Sequence, residues 1–498
     1  VTVPLGEKLA APDALDRKPP GSVTYRKTSV AVGKGQPAPV PTPDAPFAPN
    51  VRRGMVLLPP NLADVCPLRA VEIEGWSGKL EKKHVQLSAV HAPFDEKAAQ
   101  FTCSDEMLNR IFELSKHTLK ASSFLGVSID GERERTPYEA DAYLAQLGHL
   151  CCETDAPYFR WTLAYLLEFP TWPTEWALHL PLMAEADYEQ TGDIGFAMRL
   201  WEKLVPKLLK SKARPDGLLE AGAIVDWPPG ERDGFGGGQA ATDNRQHAGP
   251  MVNAVANAFH LRTLSAMERL ARAGGRMDEA DGFRRDRKRA YRAFLAAFLD
   301  EKRGIFTDGM DGGHASLHAN LFALAFGLVP EAQKSSVVAF VKSRGMACSV
   351  YAAQYLLDGL FAAGETDYAL SLMVAPGERS WKHMVEAGAG MTWEAWDARF
   401  KPNLTWNHAW GAAPANLLPR RVLGIRPLTP GFSQFLVAPQ PGKLSYLKGR
   451  VPTYRGPIEV AWERSTLTLT VPGNSTANVV LPTGKNVEGL GPGTHRLR

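Results

Sequence analysis

From Ser104 to about residue 415 the chain reads as one helix after another, and this run limits the fold more than any other feature. Ser104-Asp-Glu-Met reads as a helix start, with Ser104 as cap and acids in the first turn. Met107, Ile111, Leu114 and Leu119 then recur at near-helical spacing. In Met251–Ala271, the residues Val252, Val255, Phe259, Leu264, Met267 and Leu270 fall close to one stripe. In Asp281–Asp300, Phe283, Tyr291, Phe294, Leu295, Phe298 and Leu299 do the same. Leu317–Gly327, Lys334–Val341, Val350–Ala363 and Tyr368–Met373 fit further helices. Many helices of moderate length predict stacked hairpins, as a solenoid or a closed toroid. There is no fixed sequence period, and the Gly-rich connection Val225–Gln246 is long, so a ring with loops around a mouth is favoured.

The flanks have another texture. The first stretch is rich in Pro and Gly, as in Pro37-Ala-Pro-Val-Pro-Thr-Pro43, which must be extended or irregular. Ala70–Gly75 and His84–His91 alternate and read as strands. After Asn416, Gly456–Trp462, Thr466–Val471 and Thr476–Leu481 alternate between Gly and Pro punctuation, the pattern of an antiparallel β-sandwich. The expected organisation is a β-rich region over 1–100, a helical domain over 101–415 and a β-sandwich over 416–498.

Composition excludes several classes. The net charge of +4 comes from 57 basic and 53 acidic residues, without a basic run or stripe, so a nucleic-acid partner is not expected. No segment approaches the roughly 18 apolar residues of a membrane span. Five cysteines (Cys66, Cys103, Cys151, Cys152 and Cys348) include no CxxC pair, which argues against a zinc finger or ribbon. Adjacent Cys151 and Cys152 read as buried thiols in a helix. The chain begins at Val1 rather than Met. A cleaved secretory signal is one reading of this and an arbitrary boundary the other, and the first favours a periplasmic or secreted protein.

The chemistry concentrates in acid-flanked aromatics. Ten of the twelve tryptophans lie between Trp161 and Trp410. Several stand beside acids or polar loop residues, as in Pro170-Thr-Trp-Pro-Thr-Glu-Trp176, Asp226-Trp227 and Trp393-Glu-Ala-Trp-Asp397. Aromatic faces next to carboxylates suit sugars, which offer apolar C–H faces and hydroxyls that need acceptors. The plain alternative is that the tryptophans fill a large helical core. The densest charged segment is Asp130-Gly-Glu-Arg-Glu-Arg-Thr-Pro-Tyr-Glu-Ala-Asp141, read as a loop entering a helix. A solvated ion-pair network would also explain it. Asn403-Leu-Thr-Trp-Asn-His-Ala-Trp410 later places His408 among aromatics. Two carboxylates from distant segments meeting in an aromatic cleft are what glycoside hydrolysis requires: one protonates the leaving oxygen, the other serves water or attacks.

Asp130–Asp141, Thr392-Trp-Glu394 and Asn407-His408, in their β–α–β order, together resemble the α-L-rhamnosidases of glycoside hydrolase family 78. In that family the first motif often reads D-C-P-Q-R-D-E-R-L-G-W-T-G-D, with the acid seven residues before the last Asp. Counting back from Asp141 gives Glu134. Arg135 then matches the following Arg, Tyr138 replaces the Trp, Asp130 matches the leading Asp and Arg133 the nearby Arg. The span from Asp130 to Glu134 is shorter than in the pattern, which leaves Glu132, and less strongly Glu139, open for the acid role. The resemblance covers roughly residues 70 to 480. It implies a mainly α, multidomain protein with an (α/α)6 toroid, inversion at the anomeric carbon, Glu134 as general acid and Glu394 as general base. It also implies sugar contacts from Asp130, Arg133, Tyr138, Asp141, Trp172, Glu175, Trp176, Asp226, Trp227, Trp393 and His408, on an oligosaccharide or glycoside substrate. No cofactor or metal is called for. Arg232 and Arg245 suggest rhamnose linked to a uronic acid. The rival readings are a glycosidase for another sugar, such as a glucuronyl hydrolase, a carbohydrate-binding protein without catalysis, and a structural helical scaffold.

Overall fold

A computed structural model describes residues 1–19, 23–33, 35, 37–40, 56, 67–123, 126–131, 134–171, 174–238, 251–310 and 312–498. Cys66, Glu132, Arg133, Trp172 and Arg245 lie outside the described residues, as do parts of the Pro37–Pro43 and Val225–Gln246 segments.

Helices dominate the middle of the chain: Glu106–Ala121, Glu139–Cys152, Ala156–Glu168, His179–Thr191, Ala254–Ala273, Met277–Phe298, Leu317–Ala325, Lys334–Arg344, Val350–Ala362 and Thr366–Met373. Successive helices pack as hairpins, Ala254–Ala273 against Met277–Phe298 most extensively. The array returns to its start, because Pro414–Leu417 packs on Glu106–Ala121 and Glu139–Cys152. The helices nearest its centre are buried nearly all round. Val350–Ala362 and Glu139–Cys152 keep Gln354, Asp141 and His149 inside among their apolar residues. A helix apolar on one face only could not occupy that position. Cys151 and Cys152 are buried free thiols at the end of one of these helices. Among the described residues, no helix is long and apolar enough to cross a membrane.

The first helix starts one residue later than its sequence suggests. Asp105, not Ser104, is the cap, accepting from the Met107 N–H (2.9 Å) and the Leu108 N–H (3.3 Å). Ser104 Oγ instead accepts from the Ser445 N–H at 2.9 Å.

The C-terminal residues form two sheets. One has the order Gly493–Leu497, Thr466–Val471, Ile458–Glu463, Tyr446–Val451, Gln100–Cys103; the other runs Asn486–Leu490, Thr476–Val480, Gln434–Val437, Ile425–Pro427. Alternate residues such as Leu467, Leu469 and Val471 are buried, as the period of two requires. Two details differ from the sequence reading. Gln434–Val437 and Thr476–Val480 pair in parallel, so the sandwich is not antiparallel throughout. Gln100–Cys103, at the boundary drawn before the helices, is an edge strand of the C-terminal sheet, with Phe101 opposite Gly449.

At the N-terminus, Thr2–Gly6 pairs antiparallel with both Tyr25–Ser29 and Ala70–Val71. His84–His91 is not a strand. It follows a helical turn at Lys82–His84, and most of its side chains are exposed, so its alternation has no face to bury.

Candidate active site

The loop before the helix Glu139–Cys152 is closed by its own first residue. The Asp130 N–H donates to the Thr136 carbonyl (2.9 Å), and Asp130 Oδ1 accepts from the Thr136 N–H (3.0 Å). Inside this ring the Arg135 N–H reaches the Gly131 carbonyl at 3.0 Å, with Arg135 at φ +50°. Glu134 sits on the loop, half-buried, and its Oε2 accepts from the Tyr138 hydroxyl at 2.9 Å. Asp141 lies in the first turn of the helix at 2% exposure.

The second acid lies on a loop that folds back on itself. The Glu394 N–H donates to the Thr405 carbonyl (3.0 Å), and the Thr405 N–H returns to Glu394 Oε2 (2.8 Å). Lys401 Nζ lies 3.1 Å from Glu394 Oε1. The Trp410 indole N–H donates to the Glu394 carbonyl at 3.0 Å. Glu394 is 3% exposed.

Two contacts bring these loops together. Gly131 lies so close to the second loop that a Cβ there would stand 2.5 Å from Thr405 Cγ2 and 3.0 Å from the Asn407 carbonyl. Only glycine permits that approach. His408 Nε2 and Asp141 Oδ1 are 2.5 Å apart, both residues buried. Burial pushes the Asp141 carboxyl up; His408 draws it back down and Glu394 pushes it up again. Asp141 and Glu394 therefore sense each other's charge across the junction.

Aromatic rings surround the junction. Tyr138 meets Trp176 edge-on at 5.6 Å, and Trp176 meets Trp410 edge-on at 6.4 Å. His408 lies against Trp410 at 4.5 Å, and Trp393 against Trp406 at 4.7 Å. Trp227 is half-buried. Glu175, on the turn Glu175–Leu178, accepts the Val225 N–H at 2.8 Å, and burial pushes its carboxyl up to about 7. His179 fixes this turn. Its Nδ1 is 3.1 Å from the Trp176 carbonyl and its Nε2 3.0 Å from the Tyr355 hydroxyl, while burial holds it neutral, down to about 3.

Buried polar atoms without a hydrogen-bond partner among the described residues collect here: Glu175 Oε2, the indole nitrogens of Trp176, Trp393 and Trp406, Thr405 Oγ1 and His408 Nδ1. Each such atom costs about 1–3 kcal/mol when buried unpaired. Such a concentration departs from the usual pairing of buried polar groups.

Asp226 departs from the expected role. It is fully buried and accepts from the Trp227 N–H (2.8 Å), the Ser349 N–H (2.8 Å), the Ser349 hydroxyl and His318 Nε2 (2.7 Å). Its oxygens are used inside the protein, so it supports Trp227 rather than facing a ligand. Glu139 likewise binds the Thr171 N–H (2.9 Å) and hydroxyl, which removes it as a rival for the acid role.

The sequence reading missed Lys401, Thr405, Gly131 and Glu7. Glu7 Oε1 accepts from Asn407 Nδ2 at 2.9 Å across 400 residues of sequence. For Lys401 the only signal was a lone lysine in an acid- and aromatic-rich loop; for Glu7 there was none.

Residues 96–422 match the family described as bacterial alpha-L-rhamnosidase 6 hairpin glycosidase domain. Residues 424–496 match the bacterial alpha-L-rhamnosidase C-terminal domain. The chain is 25% identical over 461 residues to an alpha-L-rhamnosidase of Alteromonas sp. (strain LOR), covering 83% of this chain and 48% of that protein. An alpha-L-rhamnosidase of Streptomyces avermitilis is 25% identical over 456 residues, with 83% and 41% covered. The chain thus spans about half the length of the curated relatives it matches. Among solved structures, the Streptomyces avermitilis alpha-L-rhamnosidase complexed with L-rhamnose superposes with a TM-score of 0.75 at 18% identity, over 99% of this chain and 49% of that one. The native enzyme from Aspergillus terreus gives 0.76 at 17% identity, over 100% and 59%. At these identities the shared property is the fold.

Proposed function

The chain belongs to the bacterial α-L-rhamnosidase family, and we propose that it hydrolyses terminal α-L-rhamnosides with inversion, using Glu134 as general acid and Glu394 as general base. The observation that carries this reading is the junction of two loops, each bearing a carboxylate, inside a shell of tryptophans with unpartnered buried polar atoms. Glu134 gives its proton to the glycosidic oxygen as the C1–O bond breaks. Glu394 takes a proton from a water that attacks C1 from the opposite face, so the sugar leaves with inverted configuration. Glu175, Trp176, Trp393 and His408 line the proposed sugar site, with Asp130, Tyr138, Asp141 and Trp227 completing the wall. Arg133 and Trp172 belong to the same segments.

A second element of the reading concerns the aglycone. Arg232 is buried, donates Nε–H to the Asp226 carbonyl at 3.0 Å, and leaves Nη2 without a partner among the described residues. A guanidinium in that state suits a carboxylate, hence rhamnose joined to a uronic acid.

The test is release of p-nitrophenol from p-nitrophenyl α-L-rhamnoside by the parent, Glu134→Gln and Glu394→Gln, with the first-formed anomer read by proton NMR. Glu394→Gln should lose about 10²–10⁴-fold. Glu134→Gln should lose less on this good leaving group than on an alkyl rhamnoside. Retained configuration, or full activity in Glu394→Gln, would overturn the mechanism. Binding of L-rhamnose without turnover of any rhamnoside, uronate-linked ones included, would favour the non-catalytic reading.

A further inference from the structure

Lys401 is 6% exposed, yet its ammonium finds three acceptors among the described residues. Nζ lies 3.1 Å from Glu394 Oε1, 3.0 Å from Asn403 Oδ1 and 3.3 Å from the Asn403 carbonyl. A protonated amine has three N–H donors and a neutral amine two, so this arrangement fits the cation. A buried cation needs a counter-charge close by, and among the described residues Glu394 is a carboxylate in contact with it. The backbone fixes the pair: the Leu404 N–H donates to the Lys401 carbonyl at 2.9 Å, and the Thr405 N–H to Glu394 Oε2 at 2.8 Å. Each carboxylate oxygen of Glu394 therefore has a donor from its own loop.

The other charged groups nearby do not supply this. Asp141, from the helix Glu139–Cys152, is an acid whose charge opposes that of Glu394, and its partner His408 bonds Asp141 rather than Glu394. Asp397, three residues along the loop, is paired with His383 at 2.8 Å. Glu7 accepts from Asn407 and from the Thr24 N–H and hydroxyl. Among the described residues, Lys401 is the cation in contact with Glu394.

We propose that Lys401 is a positioning residue that holds Glu394 as the carboxylate, against the opposing charge of Asp141, so that the base is ready when substrate binds. The proposal rests on Glu394 being the base. It places the acidic limb of the pH profile under the control of a residue that does not touch the substrate.

The experiment compares the pH dependence of kcat/KM on p-nitrophenyl α-L-rhamnoside for the parent, Lys401→Met, Lys401→Arg and Glu394→Gln. Removing an opposite charge at this distance moves a carboxylate's titration upward by about one unit or more. Lys401→Met should therefore lose about tenfold or more on the acidic side while approaching parent activity at higher pH. Lys401→Arg should keep the parent limb. A Lys401→Met curve scaled down at every pH, with its limb unmoved, overturns the proposal and leaves Lys401 a structural role. Should Lys401→Met not fold, Lys401→Gln carries the same expectation. A direct reading comes from the ¹³Cδ titration of Glu394 in the parent, assigned by its loss in Glu394→Gln. A midpoint at or above about 4.3, the ordinary glutamate value, also overturns it. If Glu394→Gln is as active as the parent, the base assignment fails first; if it is inactive and the Lys401→Met limb does not move, only the Lys401 inference fails.

Discussion

Glu175 offers a stability measurement that isolates one buried carboxyl. It is 1% exposed, and burial lifts it from 4.5 to about 7, with backbone hydrogen bonds and, after them, Arg232 pulling the other way. Between those two values the folded chain keeps a proton that the unfolded chain has released. Stability from this group is therefore full below pH 4.5, is lost as pH rises through about 7, and is constant above that. At about 1.36 kcal/mol per unit, the loss between pH 4.5 and pH 8 is about 3 kcal/mol. Glu175→Gln mimics the neutral acid: Oε1 still accepts the Val225 N–H, and the amide takes the place of the protonated oxygen. Urea unfolding followed by tryptophan fluorescence, at steps from pH 4.5 to 8, should give nearly equal midpoints for parent and variant at the acid end. The variant should be more stable by about 3 kcal/mol at pH 8. Other buried acids move both curves together, so the difference reports Glu175. A parent-to-variant difference that stays constant across this range would refute the argument and place the Glu175 titration at its solvated value.

Three further outcomes follow from the geometry. Gly131→Ala puts a Cβ 2.5 Å from Thr405 Cγ2 and must separate the two acid loops; kcat/KM should fall by about 10²-fold, the scale of a misplacement near 1 Å, with a lowered Tm. Asp226→Ala strands His318, Ser349 and the Trp227 N–H in the interior and should cost about 3–5 kcal/mol in unfolding experiments. Asp226→Asn, which keeps the side-chain shape, should hold KM near the parent value in its folded fraction. Tyr138→Phe removes the hydroxyl that donates to Glu134 Oε2 at 2.9 Å; a donor favours the carboxylate, so the basic limb of kcat/KM should move to higher pH, and a downward move would contradict the assignment.

What could be read from the sequence follows the range of the interactions concerned. Helices such as Met277–Phe298 announce themselves because apolar periodicity is local. Glu134 is reached only through the family resemblance, by counting back from Asp141 along a motif contained in one loop. The strand Gln100–Cys103 could not be assigned to its sheet, because its partner Tyr446–Val451 lies more than 300 residues on. Asp226 was misread for the same reason. An Asp-Trp pair looks like a sugar wall until His318 and Ser349, 92 and 123 residues away, are seen to surround the carboxylate. The alternation in His84–His91 had the opposite fault: the local pattern is present, but nothing in the fold gives it a face to cover.

The same consideration decides what the N-terminal strands are for. Thr2–Gly6 lies outside the residues that match the glycosidase domain, which begin at 96, and by sequence it is only a short apolar strand. Yet the residue that follows it, Glu7, is buried and holds Asn407 through Oε1 and the Thr24 N–H and hydroxyl through Oε2. Burial pushes this carboxyl up as well, so its hydrogen bonds to Thr24 and Asn407 are what draw it back down. Lys8 lies 6.0 Å from the Trp406 ring centroid. Asn407 adjoins His408, which binds Asp141, and lies two residues from Thr405, which binds Glu394. The loop that carries the proposed base is thus gripped from one side by the helix Glu139–Cys152 and from the other by the N-terminal sheet. Removing residues 1–30 would take away the Glu7 bond to Asn407 and the Lys8 contact with Trp406; under the proposed mechanism, the N-terminal β region therefore helps to hold the loop that carries Glu394, and its removal should lower kcat/KM on p-nitrophenyl α-L-rhamnoside.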